Sequence, residues 1–281
     1  MLPIMCYCRN GAGEDAFSIT KLCYDRTKGA NRIDFRAPAG RKGAMFRGFS
    51  EKTADFLWGL ALNNDRGWFN AHREEYEEHL NQPFRALAAE TFERMQTLRS
   101  DVDLRLHIAR IYRDARRLYG RGPFKENLWF TIHQGDPHEG GPTFWFELNG
   151  REWSYGAGWW EGRADLSAAW RAAIDADPAR FEAIIDAIAA RGPFQLWGET
   201  FKRSRADRGE KLNPWYNRKN LSVGWEHVFG GAMFSEDLPA VLADGYALLI
   251  PFFDFTLEVF QKVQAERAAL RALSLSGERE P

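Results

Sequence analysis

The sequence predicts an α+β fold, a mostly antiparallel sheet flanked by helices at both ends of the chain. Three observations carry it. Helix-period apolar runs precede residue 100, a block of alternating, ring-rich segments around an Asn-Gly pair follows between 104 and 155, and helical spacing returns after 164. Helices, sheet, helices is not the strict alternation of a parallel α/β sheet.

Residues 1–44 show neither period and hold all three cysteines, Cys6, Cys8 and Cys23. They read as an unfolded extension to one α+β domain over 45–281, with Met45 as a candidate start. Acids at Glu14, Asp15, Asp25 and Asp34 argue against a transit peptide, and no apolar core of a secretory signal is present. Cys6 and Cys8 lack a second pair or a nearby histidine, so they read as unpaired thiols rather than a metal grip. A body without cysteine predicts no disulfide and a cytoplasmic setting.

Ser50 followed by Glu51 and Lys52 reads as a cap, and Phe56, Leu57, Leu60 and Ala61 recur at helical spacing until Asn63-Asn64-Asp65 stops the run. Trp68 to Leu80 and Pro83 to Leu98 read as two further helices, with Pro83 at a first turn. Leu104, Leu106 and Ile108 alternate with Arg105 and His107, the period of a strand, although Leu104, Ile108, Ile111 and Leu118 also fit a helix. Leu128 to His133, Thr143 to Leu148 and Arg151 to Tyr155 are β-rich, and Asn149-Gly150 signals a hairpin. Ala164 to Ile174 and Pro178 to Arg191 are helical, and Phe194 to Phe201 is a candidate strand. A basic, turn-rich stretch from Lys202 to Asn220 leads to a helical region starting near Ser235 and interrupted at Pro251. The most apolar stretch, Tyr246 to Phe255, is broken by Pro251 and Asp254, so no membrane span is expected.

The chain is near neutral, with a formal charge of −1, but its cations are not spread evenly. One island holds Arg105, Arg110, Arg113, Arg116, Arg117, Arg121 and Lys125 against Asp114 alone. A second holds Lys202, Arg203, Arg205, Arg208, Lys211, Arg218 and Lys219 against Asp207 and Glu210. Arginine forks suit phosphate or carboxylate, and Gly120 and Gly122 would let backbone approach an anion, so the first island reads as an anion site. The plain alternative is a solvated sheet face. If 104–116 is extended, Arg110, Tyr112, Asp114 and Arg116 share one face and Arg113 the other. Neighbouring cations would keep Asp114 ionised, which suits it to orient an arginine or hold a divalent ion rather than accept a proton. No phosphate-binding Gly-x-x-x-x-Gly-Lys loop and no Gly-x-Ser-x-Gly elbow occurs.

Arg110-x-x-Arg113-Asp114-x-Arg116 followed by Pro123-x-Lys125-x-Asn127 resembles the signature of the bacterial and fungal domain of unknown function 2461 family. Arg117 and Leu118 stand where that pattern has Phe-Ser, Arg121 where it has its first Lys, and Phe124 where it has Tyr. The resemblance extends to Phe46-x-Gly48-Phe49, Asn63-Asn64-Asp65-x-x-Trp68-Phe69, Gly156-x-Gly158-Trp159 and Lys211-Leu212 ahead of Lys219. It implies no activity, and the absent serine at 118 counts against a mechanism that needs a hydroxyl there.

Trp145, Trp153, Tyr155, Trp159 and Trp160 cluster on the hairpin and its exit, and Trp215 and Tyr216 lie in the second island. Such rings serve as stacking platforms or as core. Metal-like spacings at His72, Glu75 or Tyr76 and His79, and at His133, Asp136 and His138, have helix-surface and loop explanations, and Glu147 and Glu152 flank the hairpin as a candidate carboxylate pair. The leading expectation is a pocket for a phosphorylated or other anionic small ligand. Arg110, Arg113, Arg116, Arg121, Lys125, Asn127, Lys211 and Lys219 would bind it, with Asp114 the candidate catalytic residue, no resident metal and no identified cofactor. Single-stranded nucleic-acid binding is the runner-up partner class, and an interaction domain with a purely structural Arg-Asp network is the third reading.

Overall fold

The computed structural model describes residues 5–9, 15–19, 45–136 and 139–277. Within the stretch expected to be unfolded, β1 (Met5–Arg9) and β2 (Asp15–Ile19) pair as an antiparallel ladder. The rest of that stretch lies outside the described residues.

Ser50 is extended and its N–H donates to Thr53 Oγ1 at 3.2 Å, opening α1 (Glu51–Leu62), which buries Phe56, Leu57 and Leu60 on one face. Asp65 accepts from Trp68 N at 2.9 Å and caps α2 (Arg66–Ala71). The helix expected at Trp68 to Leu80 is split at His72 between α2 and α3 (Arg73–Tyr76), and from Arg73 the chain runs unbroken through a π-helical turn (Glu77–Asn81) into α4 (Gln82–Leu98), the second expected helix. Pro83 stands in the first turn of α4, where its missing N–H is no loss.

Strands β3 (Leu104–Ile108), β4 (Asn127–Gln134), β5 (Thr143–Asn149), β6 (Glu152–Trp159), β7 (Gln195–Trp197) and β8 (Leu221–Val228) form one antiparallel sheet in the order β3-β4-β5-β6-β8-β7. With these helices, the sheet makes the chain α+β. Alternation turns Phe130, Ile132, Phe144, Phe146, Trp153 and Tyr155 to the core face. Helix α8 (Leu238–Gly277) covers that face: Phe253 stacks on Phe144 at 4.3 Å, and Tyr246 Oη donates to Trp145 O at 2.9 Å. Gly245 makes the approach possible, because a Cβ there would lie 2.3 Å from the Tyr155 ring. Behind α8, Trp170 of α5 (Ala164–Ala176) meets Phe181 of α6 (Pro178–Arg191) edge-on at 4.9 Å.

Several expectations need correction. The strand after Leu104 ends at Ile108, so Arg110, Tyr112, Asp114 and Arg116 do not share a strand face. Asn149 shapes the hairpin through its side chain, accepting from Arg151 N (2.8 Å) and Glu152 N (3.0 Å), rather than through a left-handed pair. The expected strand at Phe194 to Phe201 shortens to β7. The stretch expected to be turns contains α7 (Gly209–Tyr216), and β8 follows it unannounced. Pro251 does not interrupt α8. Phe252, Phe253 and Phe255, all buried around it, outweigh the roughly 3 kcal/mol that an interior proline costs. Helix α8 is by length and composition apolar enough to cross a membrane, contrary to the reading of that stretch as broken, yet Tyr246, Leu249, Phe252 and Phe253 are packed inside the fold.

Candidate functional site

The signature residues occupy the return loop between β3 and β4. Its arms stay laddered: Ala109 N donates to Trp129 O (2.9 Å), Lys125 N to Ile111 O (2.7 Å) and Arg113 N to Pro123 O (2.8 Å). Asp114 opens the short turn Ala115–Arg117 by accepting from Arg116 N at 3.0 Å. Tyr119 (φ 45°) and Gly120 (φ 77°) are both left-handed, a conformation that glycine adopts without strain. Gly122 is required by close approach, since a Cβ there would sit 2.2 Å from Asn64 Oδ1.

Asn64 is a site residue that sequence reasoning left inside a helix stop. Its Oδ1 accepts from Phe124 N and its Nδ2 donates to Phe124 O, both at 3.0 Å, so one amide holds the loop as a neighbouring strand would. The same Nδ2 lies 3.4 Å from Glu126 Oε1. Residues 124–127 then alternate. Phe124 and Glu126 turn towards α2, and Lys125 and Asn127 turn to the opposite side.

On the α2 side, Phe124 stacks on Phe69 at 4.1 Å, and Arg113 donates through Nε to Phe124 O at 2.6 Å. Arg113 Nη2 lies 3.7 Å from Glu126 Oε1, with the two side chains 10% and 5% exposed. Burial lowers the Arg113 pKa, Arg121 adds to the effect, and Glu126 opposes it. A cavity of about 180 Å³ opens beside this pair, lined by Arg66, Asn70, Tyr112, Arg113, Leu118 and Phe124 among others.

On the other side, Asn127 Nδ2 donates to Glu147 Oε1 at 2.8 Å, and Lys125 Nζ lies 5.5 Å from the centroid of the Trp129 ring. Burial, then Arg113 and Arg110, lower the Lys125 pKa to about 8, against the pull of Glu147. Burial raises the Glu147 pKa, with Glu152 adding to it, while the bond from Asn127 opposes. Because the unfolded lysine binds more protons between about pH 8 and its ordinary value near 10.4, Lys125 weighs against folding below pH 8 and ceases to as pH rises through that window. Lys125→Met is therefore expected to be more stable than wild type at pH 7 by about 1–3 kcal/mol, with the gap closing towards pH 10 in paired urea titrations. A gap constant with pH would contradict this.

The other expected site residues are dispersed. Arg110 is exposed. Arg116 pairs bidentately with Asp114 (Nε–Oδ1 3.0 Å, Nη2–Oδ2 2.7 Å) at the exposed turn, and Arg121 Nε donates to Leu118 O at 3.3 Å. Lys211, on α7, sits 2.7 Å from Asp186 of α6, and Lys219 lies 3.0 Å from Glu199. Lys219 adjoins Leu221, which pairs with Trp159 at the end of the sheet opposite Lys125 and Asn127. Three strand spacings of about 4.8 Å further separate β4 from β8. The two islands do not converge.

The rings divide similarly. Trp153, Tyr155 and Trp159 are core, as are Trp215, which meets Phe181 edge-on at 5.5 Å, and Tyr216, whose Oη donates to Asp175 at 2.8 Å. Trp145 lies on the opposite sheet face beside Trp160 and Trp197 and donates to Ser222 Oγ at 2.9 Å. His72 stacks on Trp68 at 4.1 Å, and His79 lies 3.8 Å from Glu78. His133 is buried in β4 with its pKa lowered to about 4, first by burial and then by His107, while His138 lies outside the described residues. Glu152 accepts from Asn149 Nδ2 at 3.2 Å.

These features define an α+β protein whose Arg/Lys signature loop is clamped by Asn64 and whose residues 124–127, leading into β4, turn to two opposite sides. The profile of the family described as conserved hypothetical protein (DUF2461) matches residues 52–255, and the chain belongs to that family. No curated protein matches the chain.

Proposed function

We propose that the chain binds a small anionic ligand, through one phosphate or carboxylate group, in the cleft between α2 and the loop arms at 112–124. The observation that carries the reading is that Arg66 and Arg113, from separate elements, line one cavity with the Asn70 amide and the Tyr112 ring. Arg121 is close enough to act on the protonation of Arg113, so positive charge gathers at this cleft. At about 180 Å³ the cavity is smaller than the roughly 300–1,000 Å³ of sites that enclose whole drug-sized molecules, which favours an anionic head group over an entire nucleotide. A single-stranded nucleic-acid module asks for a continuous basic groove with rings along it. Lys211 and Lys219 instead lie in ion pairs away from the loop, and Trp215 and Tyr216 are buried.

Thermal unfolding in phosphate and in pyrophosphate, with chloride at matched ionic strength, tests the reading. Wild type is expected to gain several degrees at saturation, and Arg66→Ala, at an exposed helix position, to keep its basal Tm and lose the gain. No gain in wild type, or a gain undiminished in Arg66→Ala, would remove the cleft as the site.

A further inference from the structure

We propose that Lys125 is a reactive amine that condenses with the carbonyl group of a small carboxylate-bearing aldehyde or ketone, at a site on the sheet face away from the α2 cleft. Lys125, Asn127 and Trp129 follow one another at two-residue spacing on that face. Glu147 is the cross-strand partner of Trp129, and Asn127 draws its carboxyl back along the strand with a 2.8 Å bond. Lys125 Nζ lies over the Trp129 ring. Amine and carboxyl therefore stand over the same short stretch of β4. Trp129 Nε1 is buried there with no hydrogen-bond partner among the described residues, a donor suited to a bound oxygen.

The groups acting on Lys125 all favour the free amine except one. Burial, Arg113 and Arg110 oppose its charge, and Glu147 favours it. A desolvated lysine beside other cations is a nucleophile near neutral pH, and Glu147, its carboxyl pKa raised by burial, is the group placed to pass a proton. After Nζ releases its proton to solvent, its lone pair attacks the carbonyl carbon while the C=O pair moves to oxygen, which takes the Glu147 proton. The nitrogen then gives a proton back to Glu147, and a second transfer from that carboxyl lets the hydroxyl leave as water. The nitrogen lone pair closes the C=N bond, and loss of its last proton restores Glu147. Amine and carbonyl become imine and water, with no other reactant. Arg110, exposed and close enough to act on Lys125, supplies charge that favours a carboxylate on the carbonyl compound.

The test treats the full chain with glyoxylate and cyanoborohydride from about pH 6 to 10 and maps the reduced adducts by peptide mass. At pH 7 Lys125 is expected to be modified at least about 10-fold faster than Lys52, Lys202, Lys211, Lys219 or Lys262, its rate levelling near pH 8 while theirs still climb. Glu147→Gln should slow labelling at Lys125 several-fold, and Lys125→Arg should remove that adduct alone. Labelling at Lys125 no faster than at the other lysines, or rising with theirs to pH 10, would overturn the proposal on wild type without any variant. Arg66→Ala should leave Lys125 labelling unchanged, so failure at the anion cleft and failure here are told apart.

Discussion

Arg113→Ala is expected to lose about 3–5 kcal/mol of stability, while Arg116→Ala, three residues along the same signature, loses under about 1 kcal/mol. The difference lies in surroundings rather than residue type. Arg113 is 10% exposed and holds Phe124 O, with its guanidinium next to a Glu126 carboxylate that is itself 5% exposed. Removing it takes a guanidinium from beside a carboxylate held in a low-dielectric environment, which the Asn64 amide also approaches at 3.4 Å. Arg116, 63% exposed, meets Asp114 in water. Urea denaturation of both variants decides the matter, and equal losses would show that the Arg113 environment is not the constraint described. Glu126→Gln tests the same argument from the other side, since it should recover part of the Arg113→Ala loss when the two are combined.

Trp170→Ala is expected to cost about 3–5 kcal/mol, a fall in Tm of roughly 10 °C, whereas Trp58→Ala should cost under about 1 kcal/mol. The Trp170 ring is fully buried, with edge contacts to Trp159 (5.1 Å), Phe181 (4.9 Å) and Phe255 (5.4 Å), and its Nε1 donates to Trp215 O at 2.9 Å. Alanine would leave a cavity bounded by elements on four sides and a carbonyl without its donor. Trp58 is 41% exposed, with the Arg151 guanidinium over its ring at 4.8 Å. Trp170→Phe keeps most of the volume and forfeits the bond, so it should fall between the two. Calorimetry of the three variants tests the order.

The sequence made the fold class legible because alternation and helical period are local signals: Phe130, Phe144 and Tyr155 mark a core face before any coordinate is known. Strand β8 carries the same alternation in Leu221, Val223 and Trp225, yet Ser222 and Gly224 between them read as turn chemistry. Gly224 is there for a distant ring, since a Cβ would lie 2.5 Å from the Trp197 indole. Pro251 misled for a related reason, as a buried aromatic surround is invisible to propensity. At the site, residue types pointed to the right loop but not to its division. Glu126 escapes notice, and Asn64 and Glu147 stand out for other reasons, because the three act 13, 60 and 22 positions from Arg113, Phe124 and Lys125 respectively, contacts that only tertiary structure brings about. A charge census counts Lys211 and Lys219 as free cations, and it cannot see the Asp186 and Glu199 carboxylates that engage them.

The position of α8 in the chain has a further consequence. Strands β3 to β6 are made well before Leu238, yet Phe253 and Tyr246 of α8 are what close over Phe144 and Tyr155. At ribosomal rates of about 5–20 residues per second, the meander waits seconds to tens of seconds with its ring-rich face open. During translation the protein is therefore a sheet without its lid, and this is the interval in which a holding chaperone or a neighbouring nascent chain meets the same surface that α8 later occupies.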